Sequence, residues 1–326
     1  MEETLGQLIS LGVAVLWTIS ALASEVGSRR LGVAVVNVWR LGLALLFSAL
    51  LLWGVIGLPY PVFASSSTWL WLLLSGFVGY FFGDWCLFNS YLVIGSRMGQ
   101  LFMTLAPMFT AIAAWIMIGQ TLSWSALIAM CVTLLGIAVS VLGRDTDHHV
   151  QVSLPLRGIL FGIGAALGQG VGLVLSKIGV DSYTADLTPH LSDLSASGGI
   201  LSGCLPVETL DVVPFAANMI RCVAGAGCFA LWLAASGHAS DMRSSLHQHR
   251  GMLAMLVAVF AGPLFGVGFS LMAVQYTAAG IASTIMATTP IIILLPSRWL
   301  FHQPITQAAV IGALVSVAGV SLFFLL

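Results

Sequence analysis

Charge is what this sequence lacks. Asp, Glu, Lys and Arg make up only 7% of its 326 residues, against about 25% in a soluble domain. That scarcity excludes an ordinary solvated surface. With 59% hydrophobic residues and a mean hydropathy of +1.04, the chain reads as an integral membrane protein. Lysine is rarest: Lys177 stands alone. No basic stripe exists to meet nucleic acid. The opening MEETLGQLIS lacks the basic n-region of a signal peptide, so the first apolar segment reads as a retained span. Cys86, Cys131, Cys204, Cys222 and Cys228 lack metal-ligand spacing and read as small core residues. The histidines fall in DHH, HQH and at His302 without a third converging ligand, so neither a metal nor a cofactor is expected.

Long apolar runs are what the chain has instead. A helix needs roughly 20 mainly apolar residues to cross a bilayer. Leu5–Ser24 supplies span 1, Leu31 to about Ile56 span 2, and Trp69–Ile94 span 3. Met98–Gly143 is uncharged but too long for one crossing, and splits at GQTLS into spans 4 and 5. Gly158 to about Val180 is span 6, and Val213 to about Ala235 is span 7. Gly251–Ser297 splits at QYTAAG into spans 8 and 9, and Trp299–Leu326 holds the link FHQP and span 10. A transmembrane barrel is excluded, because its strands would alternate with a period of two and be about half as long. Between spans 6 and 7 a polar, acidic insertion at about 181–212 carries no Lys or Arg; an ordered lid, a surface helix and a floppy loop are all open to it, with the floppy loop as the default reading.

The chain repeats itself. A shift of 183 places Phe77 on Phe260, Gly79 on Gly262, Phe82-Gly83 on Phe265-Gly266, Met103 on Met286, Pro107 on Pro290, Gln120 on Gln303 and Gly136 on Gly319. A shift of 181 aligns NVWR (Asn37–Arg40) with NMIR (Asn218–Arg221), and one of 152 aligns SEVG (Ser24–Gly27) with SKIG (Ser176–Gly179). The halves are therefore 1–150 and 151–326, five spans each. An odd number of spans per half turns the second half upside down. Such inverted repeats belong to secondary transporters, which bind substrate near the midplane between the halves. The expected fold is all-α: ten transmembrane helices in two inverted five-helix repeats around a central cavity.

The segments GDWCLFNSYLVIGSRMGQLFMTLAPMFTAIAAWIMIGQTLSWSALIAMCVTLLGIAV and ASTIMATTPIIILLPSRWLFHQPITQAAVIGALVSVAGV, each a small-residue stretch, a helix with a central Pro and a final Gly-rich helix, resemble the EamA-type branch of the drug/metabolite transporter superfamily. The resemblance spans nearly the whole chain outside the insertion and implies a transporter with its pocket among spans 1, 3, 6 and 8, plus 4 and 9. The family's usual Glu after spans 4 and 9 is here Gln120 and Gln303.

Asp84 lies just past the middle of span 3, where insertion scales charge an Asp roughly 2.5–3.5 kcal/mol. It reads as a proton-coupling or amine-binding carboxylate on a polar crevice, or as a buried acid paired with Arg40 that locks helices together. Arg40 and Arg221, about two turns inside spans 2 and 7, read as architectural cations that snorkel or bind carbonyls, with an anionic-substrate clamp as the alternative. Glu25 and Lys177, equivalent but opposite in charge, read as interfacial residues or alternating gates. Pro107 and Pro290 each free a carbonyl one turn earlier in mid-helix, which makes Gln100, Met103, Thr104, Thr284, Thr288 and Thr289 cavity candidates. Trp17, Tyr80, Trp85, Asn89, Gln169, Gln275 and Tyr276 complete the expected pocket. The Gly run of span 6, GIGAALGQGVG, allows close helix approach.

These features point to a carrier of a small organic metabolite, an exporter of an amino acid or similar amphiphile, with Asp84 taking up a proton or amine. An uncoupled facilitator and an intramembrane lipid-handling enzyme or scaffold are the alternatives; no convergent nucleophile and base supports an enzyme. The expected partners are the substrate and the bilayer, and the chain could be a monomer or a homodimer.

Loops after spans 1, 3, 5, 7 and 9 hold eight arginines (Arg29, Arg30, Arg97, Arg144, Arg157, Arg243, Arg250, Arg298), while the other side holds only Lys177. Positive loops stay cytoplasmic, so both termini and the insertion are placed outside the plasma membrane, although the family resemblance implies cytoplasmic termini. Alkaline phosphatase fused to the C-terminus is expected to be active; an inactive fusion beside an active cytoplasmic reporter reverses the orientation.

Overall fold

The computed structural model describes residues 2–119, 124–142, 155–190, 213–276, 285–286, 288–302 and 305–325. Every regular element among them is helical. Helices α1 (Glu2–Leu31) and α2 (Val33–Ile56) meet at Gly32, where a φ of 85° suits a residue without a Cβ. Next, α3 (Ser66–Ser75) runs through a π-helical segment, Gly76–Asp84, into α4 (Trp85–Met103). They are followed by α5 (Ala106–Ile118), α6 (Trp124–Leu142) and α7 (Leu156–Leu187). The second half continues with α8 (Val213–Ala235), the short α9 (Ser240–Ser245) and α10 (His249–Val259). A second π segment, Phe260–Leu264, leads into α11 (Phe265–Tyr276). The described chain closes with α12 (Thr289–Ile292), α13 (Leu294–Phe301) and α14 (Gln307–Leu325).

Among the described residues, six helical stretches are long and apolar enough to cross a membrane: Thr4–Leu31, Val33–Ile56, Ser66–Met103, Leu156–His190, Val213–Ala235 and His249–Val267. Four shorter apolar helices, Ala106–Ile118, Leu127–Ser140, Thr289–Phe301 and Gln307–Leu322, accompany them. The chain is a multi-pass, all-helical membrane protein.

Several boundaries differ from the sequence expectation. Helix α1 continues past Ser24 to Leu31, because Glu25 and Arg29 pair one turn apart and satisfy each other's charge. The start of the acidic insertion is not a floppy loop: α7 is helical to Leu187, and a 3-10 turn covers Thr188–His190. Asp186 stabilises this extension. Its Oδ2 accepts the Ser65 N–H at 2.9 Å and the Thr68 hydroxyl at 2.7 Å, a carboxylate at the N-terminus of α3. The rest of the insertion lies outside the described residues. Spans 3 and 4 are separated by one residue, Gly95 (φ 81°), after which the helix resumes at once. Pro107 and Pro290 are not mid-helix kinks. Both stand in the first turn of new helices, α5 and α12, where a missing N–H costs no intrahelical bond.

The packing follows a regular scheme. Helix α2 lies along α8 and α6 along α14. Helix α7 packs on α3, the first π segment, α4 and α5, while α1 packs on α10, the second π segment, α11 and α12. Close approach is set by glycine. A Cβ on Gly172 would lie 2.8 Å from Gly79 Cα, and one on Gly168 would lie 2.7 Å from Gly83 Cα, so α7 meets the π segment backbone to backbone. The small faces of α6 and α14 are occupied by each other: a Cβ on Gly312 would lie 2.6 Å from the Gly136 carbonyl.

Replacing Gly172 by Leu should therefore destabilise the protein by about 3 kcal/mol or more, since the neighbour that must yield is backbone. Gly12 has nothing within 4 Å of its would-be Cβ, so Gly12→Leu should leave the melting temperature of purified protein unchanged. Equal melting temperatures for both variants would refute the close-approach account.

Candidate functional site

Asp84 ends the first π segment, only 3% exposed. A buried carboxylate needs a cation and hydrogen bonds, and it has both. Oδ2 accepts a hydrogen bond from Arg40 Nη2 in an ion pair, and Oδ1 accepts from Gln169 Nε2 at 2.9 Å. Gln169 also donates to the Gly79 carbonyl at 3.3 Å, inside the π segment. Arg40 is steadied from its own helix. Its Nη2 and Nε lie 3.2 and 3.4 Å from Asn37 Oδ1, and its guanidinium sits 5.1 Å from the Phe88 ring centroid. Three elements, α2, the π segment and α7, are thus joined at one charged point. Arg40 neither snorkels nor binds carbonyls, because a carboxylate is closer than either alternative.

Arg221 approaches from α8. Its guanidinium lies 4.4 Å from the centroid of the Tyr80 ring, a cation–π geometry. The Tyr80 hydroxyl donates to Asn218 Oδ1 one turn earlier on α8. Gly225 lets α8 settle here, since a Cβ there would lie 2.8 Å from Tyr80 Cβ. Tyr80, Asp84, Gln169, Arg40 and Arg221 therefore form one cluster, as their shared depth on spans 2, 3, 6 and 7 allows.

The remaining sequence-predicted residues distribute elsewhere. Trp85 packs edge-on against Phe161 with centroids 5.3 Å apart, and Asn89 Nδ2 donates to the Trp85 carbonyl at 2.7 Å. Gln100 donates to the Tyr91 hydroxyl at 2.6 Å, while Met103 joins the apolar cluster around Phe88 and Tyr91. The hydroxyls of Thr104 and Thr288 each donate to the carbonyl three residues earlier, both at 2.6 Å. Thr289 does the same to Met286 at 2.9 Å. These hydroxyls satisfy backbone at the two helix breaks. Trp17 packs with Val13, Ala273 and Met286 on the opposite flank, and Tyr276 is exposed. The Gln275 side chain, Thr284, Gln120 and Gln303 lie outside the described residues.

Glu25 and Lys177 stand in unlike settings. Glu25 is wholly buried; Oε1 accepts from Arg29 at 2.8 Å, and Oε2 accepts the Ser96 N–H at 2.7 Å, capping the helix that resumes after Gly95. Lys177 is exposed beside Asp181 at 3.4 Å.

Sequence reasoning missed the π segments. They occupy positions related by the same shift of 183, and π-bulges concentrate at functional sites. The second contains Pro263, whose missing N–H was the one available signal. The first carries none beyond its glycines.

The model of the EamA-like transporter family matches the sequence twice, over residues 4–142 and 195–325. No curated protein matches it. Among solved structures, the crystal structure of a protein is similar over 98% of this chain and 96% of its own. The two are 17% identical with a TM-score of 0.55, a likeness of fold alone.

Breaking a buried ion pair from one side leaves an uncompensated charge and costs about 3–5 kcal/mol, whereas replacing both partners by apolar residues is often neutral. Asp84→Leu is expected to unfold the protein at markedly lower denaturant, and Asp84→Leu/Arg40→Met to recover most of the loss. A double variant no more stable than the single one would show that the two side chains do not depend on each other.

Proposed function

Because this chain belongs to the EamA-like transporter family, we propose that it is a secondary transporter that moves a small organic metabolite across the plasma membrane by alternating access. The cargo is an amino acid or similar amphiphile and the direction is export. Its ten crossings form two five-helix repeats of opposite orientation, counting the four shorter apolar helices with the six longer stretches.

The observation that carries this reading is the symmetry of the packing. Exchange the halves, and α2 against α8 maps onto itself, as does α6 against α14. The packing of α7 on α3–α4 becomes that of α1 on α10–α11, and α7 on α5 becomes α1 on α12. Two π segments, two Thr-capped breaks and two first-turn prolines recur at corresponding places. Two such halves can rock about their shared seam and expose a midplane site to each side in turn.

Asp84 is the coupling residue in this reading. Protonation would cancel its attraction for Arg40 and weaken the Gln169 contact that ties the π segment of the first half to α7 of the second, the elements that must separate. An uncoupled facilitator is favoured by one observation, that Arg40 and Gln169 already satisfy the carboxylate.

Proteoliposomes containing the purified protein should show saturable, counterflow-competent uptake of amphiphilic amino acids, accelerated severalfold by an opposing pH gradient. The Asp84→Asn/Arg40→Gln variant should retain counterflow and lose the acceleration. Flux indifferent to the gradient in the unmodified protein would establish the facilitator instead, and absence of saturable flux across a broad metabolite panel would overturn the transport proposal.

A further inference from the structure

We infer that Arg221 is an anion-binding residue and that the transported metabolite carries a carboxylate that docks on it beside Tyr80 and Asn218. The inference rests on the transport reading above, but its chemistry comes from an imbalance of charge.

Arg40 and Arg221 are equivalent under the shift of 181, but the acid is not duplicated: the counterpart of Asp84 at a shift of 183 is Val267. Arg40 has Asp84. Among the described residues Arg221 makes no ion pair, and its Nε is buried without a hydrogen-bond acceptor. The other buried acid, Glu25, is fully engaged by Arg29 and the Ser96 N–H. The cluster therefore holds two guanidiniums against one carboxylate.

A guanidinium kept inside a membrane protein with no carboxylate in direct contact, the nearby Asp84 being paired with Arg40, is expensive, and Tyr80 offers only the face of its ring. The shape of what is missing follows from the donor set. A guanidinium presents a planar fork that fits a carboxylate through two parallel hydrogen bonds. Asn218, three residues before Arg221 on one face of α8, accepts from Tyr80 through Oδ1, which leaves its Nδ2 as a further donor. Tyr80 holds the guanidinium plane by stacking and Asn218 by its hydroxyl, so the fork is preorganised for an incoming anion. The repeat accounts for the origin of the site: one half keeps its acid as a lock, and the half with Val267 in its place has a guanidinium that a cargo's carboxylate can pair.

The test uses isosteric probes on the purified full-length protein, with calorimetric titration of phenylacetate, phenylacetamide and chloride. Phenylacetate should bind saturably, at least tenfold tighter than phenylacetamide and tighter than chloride. Arg221→Gln should raise the Kd for phenylacetate roughly ten- to a hundredfold, the span of one charge-assisted hydrogen bond, and leave the amide unaffected. Should Arg221→Gln fail to fold, Asn218→Asp supplies the guanidinium with an internal carboxylate and should weaken phenylacetate to the same degree. Equal affinity for acid and amide, a phenylacetate Kd untouched by either substitution, or chloride binding as tightly as phenylacetate would each overturn the inference. The failures are separable: saturable flux without carboxylate preference sinks this inference alone, whereas carboxylate binding at Arg221 without flux of any metabolite sinks the transport reading.

Discussion

The ion pair of Arg40 with Asp84 joins α2 to the first π segment, which packs on α7, and it follows from one constraint. Inside a bilayer no water completes an unsatisfied group, so each buried charge and each freed backbone group must be satisfied by protein. Gln169 extends the same solution from α7 by serving both the Asp84 carboxylate and a carbonyl of the π segment. Glycine makes this contact possible. Gly79 and Gly83 on one element face Gly172 and Gly168 on the other, and no side chain stands between the polar groups and their partners.

That constraint also explains the helix breaks. The chain interrupts itself at Gly95, at Thr104–Leu105 and at Thr288, and each interruption is repaired locally. Glu25 caps the helix after Gly95, and threonine hydroxyls take up carbonyls at the other two breaks. Prolines then occupy first turns, where they remove nothing. Irregular backbone of this kind survives at membrane depth only when enclosed by protein or a cavity.

The duplication is close in backbone and loose in chemistry. Helix α5 ends at Gly119 with φ 68°, and α13 ends at the corresponding His302 with φ 55°, the same left-handed cap made by a residue that fits it less well. Asp84 and Val267 diverge more consequentially, since one helix crossing gains a lock that the other lacks. Equivalent frames do not require equivalent charges.

Much of this was legible in the sequence. Scarce charge and long apolar runs determined a helical membrane protein, because only internal hydrogen bonding is viable in hydrocarbon. The spacing of Pro107, Pro290, Arg40 and Arg221 disclosed the repeat, and the Gly run of span 6 disclosed close packing. What the linear order could not disclose was which partner each polar group would choose. Arg40 could be named from the sequence as a partner of Asp84, but only as one of two readings, and nothing near Asp84 marks Gln169, 85 residues away, as the other. Nor does the sequence around Glu25 reveal Ser96, or that around Trp17 reveal that it packs away from Tyr80. Pairing across helices depends on rotation, register and the depth of each glycine crossing, which are properties of the assembled bundle. Composition thus determined the material; the tertiary structure alone decided which of the buried charges were paired.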